Sequence, residues 1–203
     1  MTSLKELFKK EATEALQNIQ AILDNPKMFQ SFEEAANMIA QSLKAGGTLY
    51  VAGNGGSAAD AQHMVAELVV KLNKNRDPLR AVALTVDTSI ITAAGNDFSY
   101  DDIFSRQVEA LARPNDVFLG ITTSGNSKNI LNCFSICKKI GAKSICLTGK
   151  DGGKAVKENM ADLNVVMNGR NTARIQEGHA IWYHTMCYAL ELVLVESGTI
   201  RYR

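Results

Sequence analysis

Two side chains one helical turn apart, His63 and Glu67, are the first candidates for chemistry in this chain of 203 residues. Their i, i+4 spacing places an imidazole and a carboxylate on one face of a helix, where they can move a proton or hold a metal ion. A glycine-rich segment, residues 53–57, precedes them. Backbone N–H groups of such a loop at a helix N-terminus can bind an anion. The pattern therefore predicts an anion site beside an acid–base or metal pair.

A second polar segment, residues 122–127, again lies between an apolar run and a helical pattern. It carries the hydroxyl groups of Thr122, Thr123, Ser124 and Ser127 around a glycine. Several neutral donors at a helix N-terminus suit a phosphate group. Serine and threonine are also common in helix caps and hydroxyl turns. The local pattern leaves both interpretations open.

The apolar pattern of the last helix is interrupted by four polar residues, Gln176, Glu177, His179 and His184, of which Gln176 and His184 lie eight residues apart. Eight residues correspond to about 80° around a helix axis, so one site could receive both side chains. A largely buried helix that keeps them either satisfies hydrogen bonds in the core or lines a site. Asn96 and Asp97 follow a short predicted helix, where they fit an ordinary helix end and turn or a contact with sugar hydroxyls.

Composition excludes several classes of partner. The 22 Lys and Arg residues against 21 Asp and Glu residues give no basic surface for nucleic acid. No apolar run is long enough to span a membrane and no signal peptide is visible, so we expect a cytoplasmic protein. The four cysteines are expected to be buried free thiols, although Cys133 and Cys137 have the i, i+4 spacing of a possible metal clip.

A dinucleotide site is disfavoured. The first loop matches a loose GxGxxA pattern, which is weak by itself. A dinucleotide fold also needs an acidic residue that closes the second strand, and residues 71–77 are polar and loop-like instead. Any phosphate bound here therefore belongs to a substrate.

The elements that must position these residues fall into two parts of a single domain, 1–203. Residues 1–46 are expected to form a helical hairpin, with helices over 3–24 and from a capping-box pattern at Ser31 to residue 44. Its apolar stripe must pack on the rest of the domain or on another subunit, and we favour the subunit contact.

Residues 47–203 alternate between strands and helices, with continuous apolar strands typical of a buried parallel sheet. The pattern predicts an α/β fold, a three-layer α/β/α sandwich around five parallel strands with sites at their carboxyl ends. The strands are expected at 49–52, 81–85, 117–122, 144–148 and 163–166, and the helices at 57–72, 88–94, 102–111, 128–140, 153–159 and 172–196.

Taken together and in order, several motifs resemble the sugar isomerase (SIS) domain family. They are the segments 53–57, 95–97, 123–127, 147–153 and 173–177, together with Gln62, His63, Glu67 and His184. The resemblance covers nearly the whole chain, including the hairpin. It implies that Glu67 and His184 form an acid–base pair and that His63, Glu67, Gln176 and His184 bind one Zn²⁺. It further implies substrate contacts from the first loop (Asn54, Gly55, Gly56 and Ser57) and from the second loop (Thr122, Thr123, Ser124 and Ser127). Glu67, Asn96, Asp97 and Gln176 are implied substrate contacts as well.

The combination is similar to family members that convert sedoheptulose 7-phosphate into D-glycero-D-manno-heptose 7-phosphate, an aldose–ketose isomerisation through an enediol(ate). The implied role is the first step of ADP- or GDP-heptose synthesis, as for lipopolysaccharide, in a homotetramer. Two alternatives stay open: a non-enzymatic SIS protein that binds the replication initiator, and an SIS isomerase for another sugar phosphate. The retained pair of Glu67 and His184 argues against the first.

Overall fold

Five parallel strands form the central sheet of the protein in the order β2-β1-β3-β4-β5. The computed structural model describes residues 3–203, so residues 1 and 2 of the predicted hairpin lie outside the described part. The strands are β1 (Leu49–Gly53), β2 (Ala81–Ala83), β3 (Val117–Thr122), β4 (Lys143–Gly149) and β5 (Leu163–Met167). The predicted parallel sheet is confirmed.

Helices cover both faces of the sheet. They are α1 (Leu4–Leu23), α2 (Pro26–Lys44), α3 (Gly56–Val69), α4 (Thr88–Asp97), α5 (Ser105–Leu111), α6 (Lys128–Ile140), α7 (Gly153–Lys157) and α8 (Thr172–Glu196), with a 3₁₀ turn at Tyr100–Asp102. Successive side chains of β3 enter opposite cores: Leu119 packs in the core under α2, α3 and α8, and Phe118 packs in the core under α5 and α6. The sheet is therefore the middle layer of the expected sandwich.

The N-terminal hairpin is present, but its second helix begins earlier than predicted. Asn25 caps α2 by accepting the N–H of Lys27, and Pro26 occupies the first helical position, where its missing N–H costs nothing. The capping-box assignment at Ser31 is wrong, since the Ser31 hydroxyl donates to the carbonyl of Met28 inside the helix. The Asn-Pro pair was the stronger start signal.

The two helices of the hairpin have different environments. In α2, Ala35, Ile39 and Leu43 are buried against the sheet, so the apolar stripe of this helix packs on the rest of the domain. In contrast, α1 has no buried residue, and several of its apolar side chains are exposed, such as Phe8 at 77% and Leu16 at 67%. A subunit contact through α1 stays a prediction.

Smaller differences concern the ends of elements. The strand β2 is two residues shorter than expected, and α3 ends at Val69. The predicted helix over 102–111 is a 3₁₀ turn followed by α5. The residues 95–97, expected as a turn, form the last turn of α4. Each difference lies at an element boundary, where local propensity is least decisive.

All four cysteines are buried and unpaired, as expected. Burial raises the pKa of the Cys137 thiol to about 12 and that of Cys133 well above its usual value. The Cys133 thiol donates to the Asn129 carbonyl of the same helix. These thiols therefore belong to the core under α6. Within residues 3–203, no helix has the length and apolar character that crossing a membrane requires.

Two loops interlock at the carboxyl edge of the sheet, one after β3 and one after β4. Gly125 has φ +66°, and a Cβ there would lie 1.9 Å from the carbonyl oxygen of Gly152. The side chain of Asn126 accepts the N–H of Lys154, and the Gly125 carbonyl accepts that of Ala155. Only glycine permits this approach, so the segment 149–153 buttresses the hydroxyl loop.

His179 is a fully buried histidine of α8, and its Nε2 donates to the Thr148 carbonyl of β4 over 3.0 Å. Burial lowers its pKa to about 4. The folded protein thus binds this proton less readily than the unfolded chain, whose histidine has a pKa of about 6.5. The stability contribution is complete above pH 6.5 and is lost as the pH falls toward 4.

We therefore expect the free energy of unfolding to fall by about 3 kcal/mol more in the wild type than in His179→Gln between pH 7 and pH 4. The glutamine amide can still donate to Thr148 but does not titrate. Urea unfolding at a series of pH values measures the difference. Parallel pH profiles of the two proteins would contradict the assignment of a buried neutral imidazole.

Candidate active site

The glycine loop between β1 and α3 lies at the carboxyl edge of the sheet. Gly55 has φ +56°, and the helix that follows has no side-chain cap, so its N-terminal N–H groups are not engaged by a capping side chain. The amide of Asn54 exchanges two hydrogen bonds of 2.9 Å with the amide of Asn129. The hydroxyl of Tyr100 donates to the Asn54 oxygen over 3.0 Å. These contacts hold Asn54 beside the loop.

The hydroxyl loop lies on the neighbouring strand β3. Thr122 and Ser127 share a hydrogen bond of 2.9 Å, although Ser127 occupies the N-cap position of α6. Its side chain makes no capping bond, so the capping interpretation does not account for this serine. The Ser124 hydroxyl accepts the N–H of Asn126, so Ser124 forms the hydroxyl turn of the alternative interpretation. The loop therefore presents hydroxyls and an uncapped helix end, an arrangement that suits an anion.

The imidazoles of His63 and His184 and the carboxylate of Glu67 meet beside these loops. One ligand atom from each lies within 4.8 Å of the others. The Nε2 of His63 is 3.2 Å from Oε1 of Glu67, and the two imidazole rings stand 5.0 Å apart. The cluster joins α3 to α8, because His184 follows Glu67 by 117 residues and His63 by 121. The i, i+4 spacing on α3 brings two of the side chains together, and α8 supplies the third.

Hydrogen bonds from the other ring nitrogens orient both imidazoles. Nδ1 of His184 lies 2.8 Å from the Ala180 carbonyl, which can only accept, so this nitrogen carries the proton and Nε2 is free. Nδ1 of His63 lies 3.1 Å from the Tyr183 hydroxyl. Burial raises the pKa of Tyr183 to about 12, so its hydroxyl stays neutral and can donate to this nitrogen or accept from it. A hydrogen bond at the second ring nitrogen is typical of metal-binding and acid–base histidines.

Asp60 is a residue that the sequence reasoning missed. Burial raises the pKa of its carboxyl, and the nearby His63 and His184 act in the opposite direction. Its Oδ2 atom is buried without a hydrogen-bond partner. The signal was available, because positions 60, 63 and 67 share one helical face. An unpartnered carboxyl beside two imidazoles favours a positive charge in the cluster.

Gln176 lies at the glycine loop. A Cβ on Gly56 would be 2.3 Å from the Nε2 atom of its side chain, so the amide packs directly on the start of α3. This contact brings the first turn of α8 to the anion site. The assignment of Gln176 as a fourth metal ligand stays a prediction.

Asn96 and Asp97 are both exposed on the last turn of α4. The Asn96 amide donates to the Asp97 carboxylate over 2.7 Å. Their predicted contact with sugar hydroxyls stays a prediction, as does the contact of Thr123. Tyr100 is the first residue of the 3₁₀ turn, three residues after the end of α4. It reaches the site through Asn54 and carried no sequence motif.

Comparison with known proteins places this arrangement in a family. The model of the SIS domain matches residues 8–149. A phosphoheptose isomerase of Campylobacter concisus is 46% identical over 188 residues, which cover 93% of this chain and 97% of that relative. A phosphoheptose isomerase of Aquifex aeolicus is 42% identical over 198 residues, covering 98% and 100%.

A solved structure is similar over the same length. The phosphoheptose isomerase of Neisseria gonorrhoeae matches with a TM-score of 0.85 at 37% identity, covering 93% of this chain and 99% of that one. The similarity includes both the hairpin and the helix α8 that completes the site. The sheet order, the two loops and the matched relatives together show that this chain belongs to the SIS domain family.

Proposed function

We propose that this protein is a phosphoheptose isomerase that converts sedoheptulose 7-phosphate into D-glycero-D-manno-heptose 7-phosphate. The observation that carries the proposal is the cluster of His63, Glu67 and His184 beside two anion-binding loops. It occurs in a chain similar over nearly its whole length to phosphoheptose isomerases. A binding protein without enzymatic activity would have no need of this cluster.

The reaction moves a proton between C1 and C2 of the sugar through an enediol(ate). A base must take the proton from carbon, and an acid must serve the neighbouring oxygen. Glu67 is the base, and its carboxylate extends from the last turn of α3 toward the imidazoles. His184 is the partner, because its Nε2 is free while Nδ1 is held by the Ala180 carbonyl. One such group contributes about 10²–10⁴ in rate, or about 3–5 kcal/mol of barrier.

The phosphate end of the substrate is held by the hydroxyl loop and the start of α6. Thr122, Ser124 and Ser127 supply neutral donors, and the helix N-terminus supplies a favourable field. The glycine loop with Asn54 faces the same edge of the sheet. Binding energy from the phosphate can then orient the reacting carbons against Glu67.

We further propose that the cluster binds Zn²⁺. Two imidazole nitrogens and a carboxylate oxygen form a donor set that zinc accepts, and the buried, unpartnered Asp60 oxygen fits a neighbouring cation. His63, Glu67 and His184 would hold the ion, with Gln176 as the fourth ligand. Glu67 has two carboxylate oxygens and could bind the ion through one while the other acts as the base. His184 has only Nε2 for both roles, since Nδ1 is held by Ala180, so it would leave the ion when it moves a proton. When bound, the ion polarises the substrate's oxygens and stabilises negative charge on them.

Replacement of Glu67 by Gln tests the enzymatic assignment. We expect kcat on sedoheptulose 7-phosphate to fall by about 10²–10⁴-fold, because the amide cannot take a proton, while phosphate-ester binding changes by less than about threefold. Product analysis by chromatography gives kcat, and calorimetry gives the affinity. Five- and six-carbon sugar phosphates assayed in parallel decide whether the seven-carbon chain is preferred.

Glu109→Gln on α5 is the matched control, since its carboxylate is exposed and lies outside the site. It should keep wild-type turnover. Retained isomerisation in Glu67→Gln would exclude Glu67 as the base. No turnover of any sugar phosphate by the wild type, with or without zinc, would favour the binding-protein alternative.

Metal binding has its own test. After treatment with a chelator, the wild type should bind about one Zn²⁺ per chain in a calorimetric titration, and zinc at 100 times its Kd should raise the free energy of unfolding by about 2.7 kcal/mol. His63→Gln should lose most of that affinity. The control His179→Gln should keep it, because His179 is buried against Thr148 outside the cluster. Equal zinc affinity in both variants would contradict the proposed ligand set.

We also propose that the protein assembles as a homotetramer in the cytoplasm and supplies heptose for a surface glycoconjugate such as lipopolysaccharide. The exposed apolar face of α1, with Leu4, Phe8 and Leu16, supports self-association. Light scattering should give the mass of four chains. Phe8→Glu combined with Leu16→Glu should reduce it, and an unchanged mass would exclude α1 from the interface.

A further inference from the structure

Arg76 is a buried arginine in the polar segment that follows α3, and only 3% of its surface is exposed. Its Nη2 donates to the Glu67 carbonyl over 2.8 Å, and its Nη1 donates to the Leu68 carbonyl over 2.8 Å. Its Nε lies 3.5 Å from Oε2 of Glu191, whose side chain is also almost fully buried. One guanidinium thus contacts the end of α3 and the middle of α8.

The two carbonyls belong to the last turn of α3, where carbonyl groups lack partners within the helix. A cation is favourable at this end of a helix. One of the two carbonyls belongs to Glu67 itself. On the other side, Glu191 lies seven residues after His184 and therefore on the same face of α8. The guanidinium is accordingly a polar link between the helix segments that carry Glu67 and His184, in addition to the contact of Tyr183 with His63.

Stabilisation of the fold does not by itself explain the buried pair of Arg76 and Glu191. Two charges taken out of water lose hydration, and apolar side chains of similar size are often as stable or more so. The geometry, in contrast, requires arginine, because a planar guanidinium can donate to two carbonyls and face a carboxylate at once. Lysine offers a single ammonium group. The backbone of Arg76 also pairs with that of Tyr202 in an antiparallel bridge, which attaches the C-terminal residues to this segment.

We propose that Arg76, paired with Glu191, is a positioning residue of the active site: it sets the distance between Glu67 on α3 and His184 on α8. The proposal rests on the isomerase function proposed above. Arg76 does not touch the substrate; it acts through the backbone of Glu67. Its loss should therefore affect the proton-transfer step more than phosphate binding, which depends on the loops after β1 and β3.

Arg76→Lys is the central test. It keeps the positive charge and loses the double contact with the two carbonyls. At a temperature where the variant is fully folded by circular dichroism, we expect kcat to fall by about 10- to 100-fold and KM to change by less than about threefold. A small displacement of a reacting group is sufficient for such a loss.

Arg113→Lys is the matched control. Arg113 also donates to the carbonyls at the end of a helix, with Nη1 at 2.9 Å from the Ala112 oxygen, but its helix α5 carries no site residue. This variant should lose at most some thermal stability and keep kcat. Glu191→Gln is the second test and applies even if Arg76→Lys does not fold. It keeps the shape of the side chain and should lower kcat by about three- to tenfold with an unchanged KM.

A readout independent of turnover separates this proposal from the proposed function. In protein labelled with ¹⁵N-histidine, the ring signals of His63 and His184 should shift in Glu191→Gln and Arg76→Lys and stay constant in Arg113→Lys. Unchanged ring signals and unchanged kcat in folded variants would overturn the positioning role. A wild type with no isomerase activity would overturn the proposed function instead, while the ring signals would still test the link between the two helices.

Discussion

The site depends on the pairing of β1 with β3. This parallel register sets Gly53 opposite Ile121, so that both strands end at the same edge of the sheet. The chain leaves each strand through a loop rich in small or hydroxyl residues and enters a helix whose N-terminus has no side-chain cap. Two sets of backbone and hydroxyl donors consequently face one space. Every other part of the site is arranged around this edge.

The proposed acid–base and metal-binding groups come from the helices that cover the sheet. His63 and Glu67 lie about two and three turns beyond the glycine loop on α3, and His184 approaches from α8. Both helices bury apolar side chains in the same core, including Met64 on α3 and Met186 on α8. Packing of these apolar side chains therefore fixes the distance between the two helices, and with it the spacing of His63, Glu67 and His184. Packing alone does not orient the imidazole rings. Hydrogen bonds with Ala180 and Tyr183 do so.

Much of this could be predicted from the sequence, for identifiable reasons. Continuous apolar runs such as 117–122 predicted buried parallel strands, and the spacing of His63 and Glu67 is a local property of one helix. The start of α2 was misjudged because two start signals, Asn25-Pro26 and Ser31, compete within six residues. The roles of Asp60, Tyr100 and Arg76 were not predictable by the same means. Each depends on a contact between elements that periodicity does not report, such as Tyr100 with Asn54.

The division of the cluster between α3 and α8 has a consequence for synthesis of the chain. When a ribosome has released residues up to the end of β5, the loops after β1 and β3 and Glu67 have already been made, but His184 has not. The nascent protein then has an open sheet face, because α8 is the helix that fills the core beside α2 and α3. Synthesis of α8 thus covers the core and delivers His184 at the same late stage. A chain that ends before α8 would expose its core and lack part of the cluster.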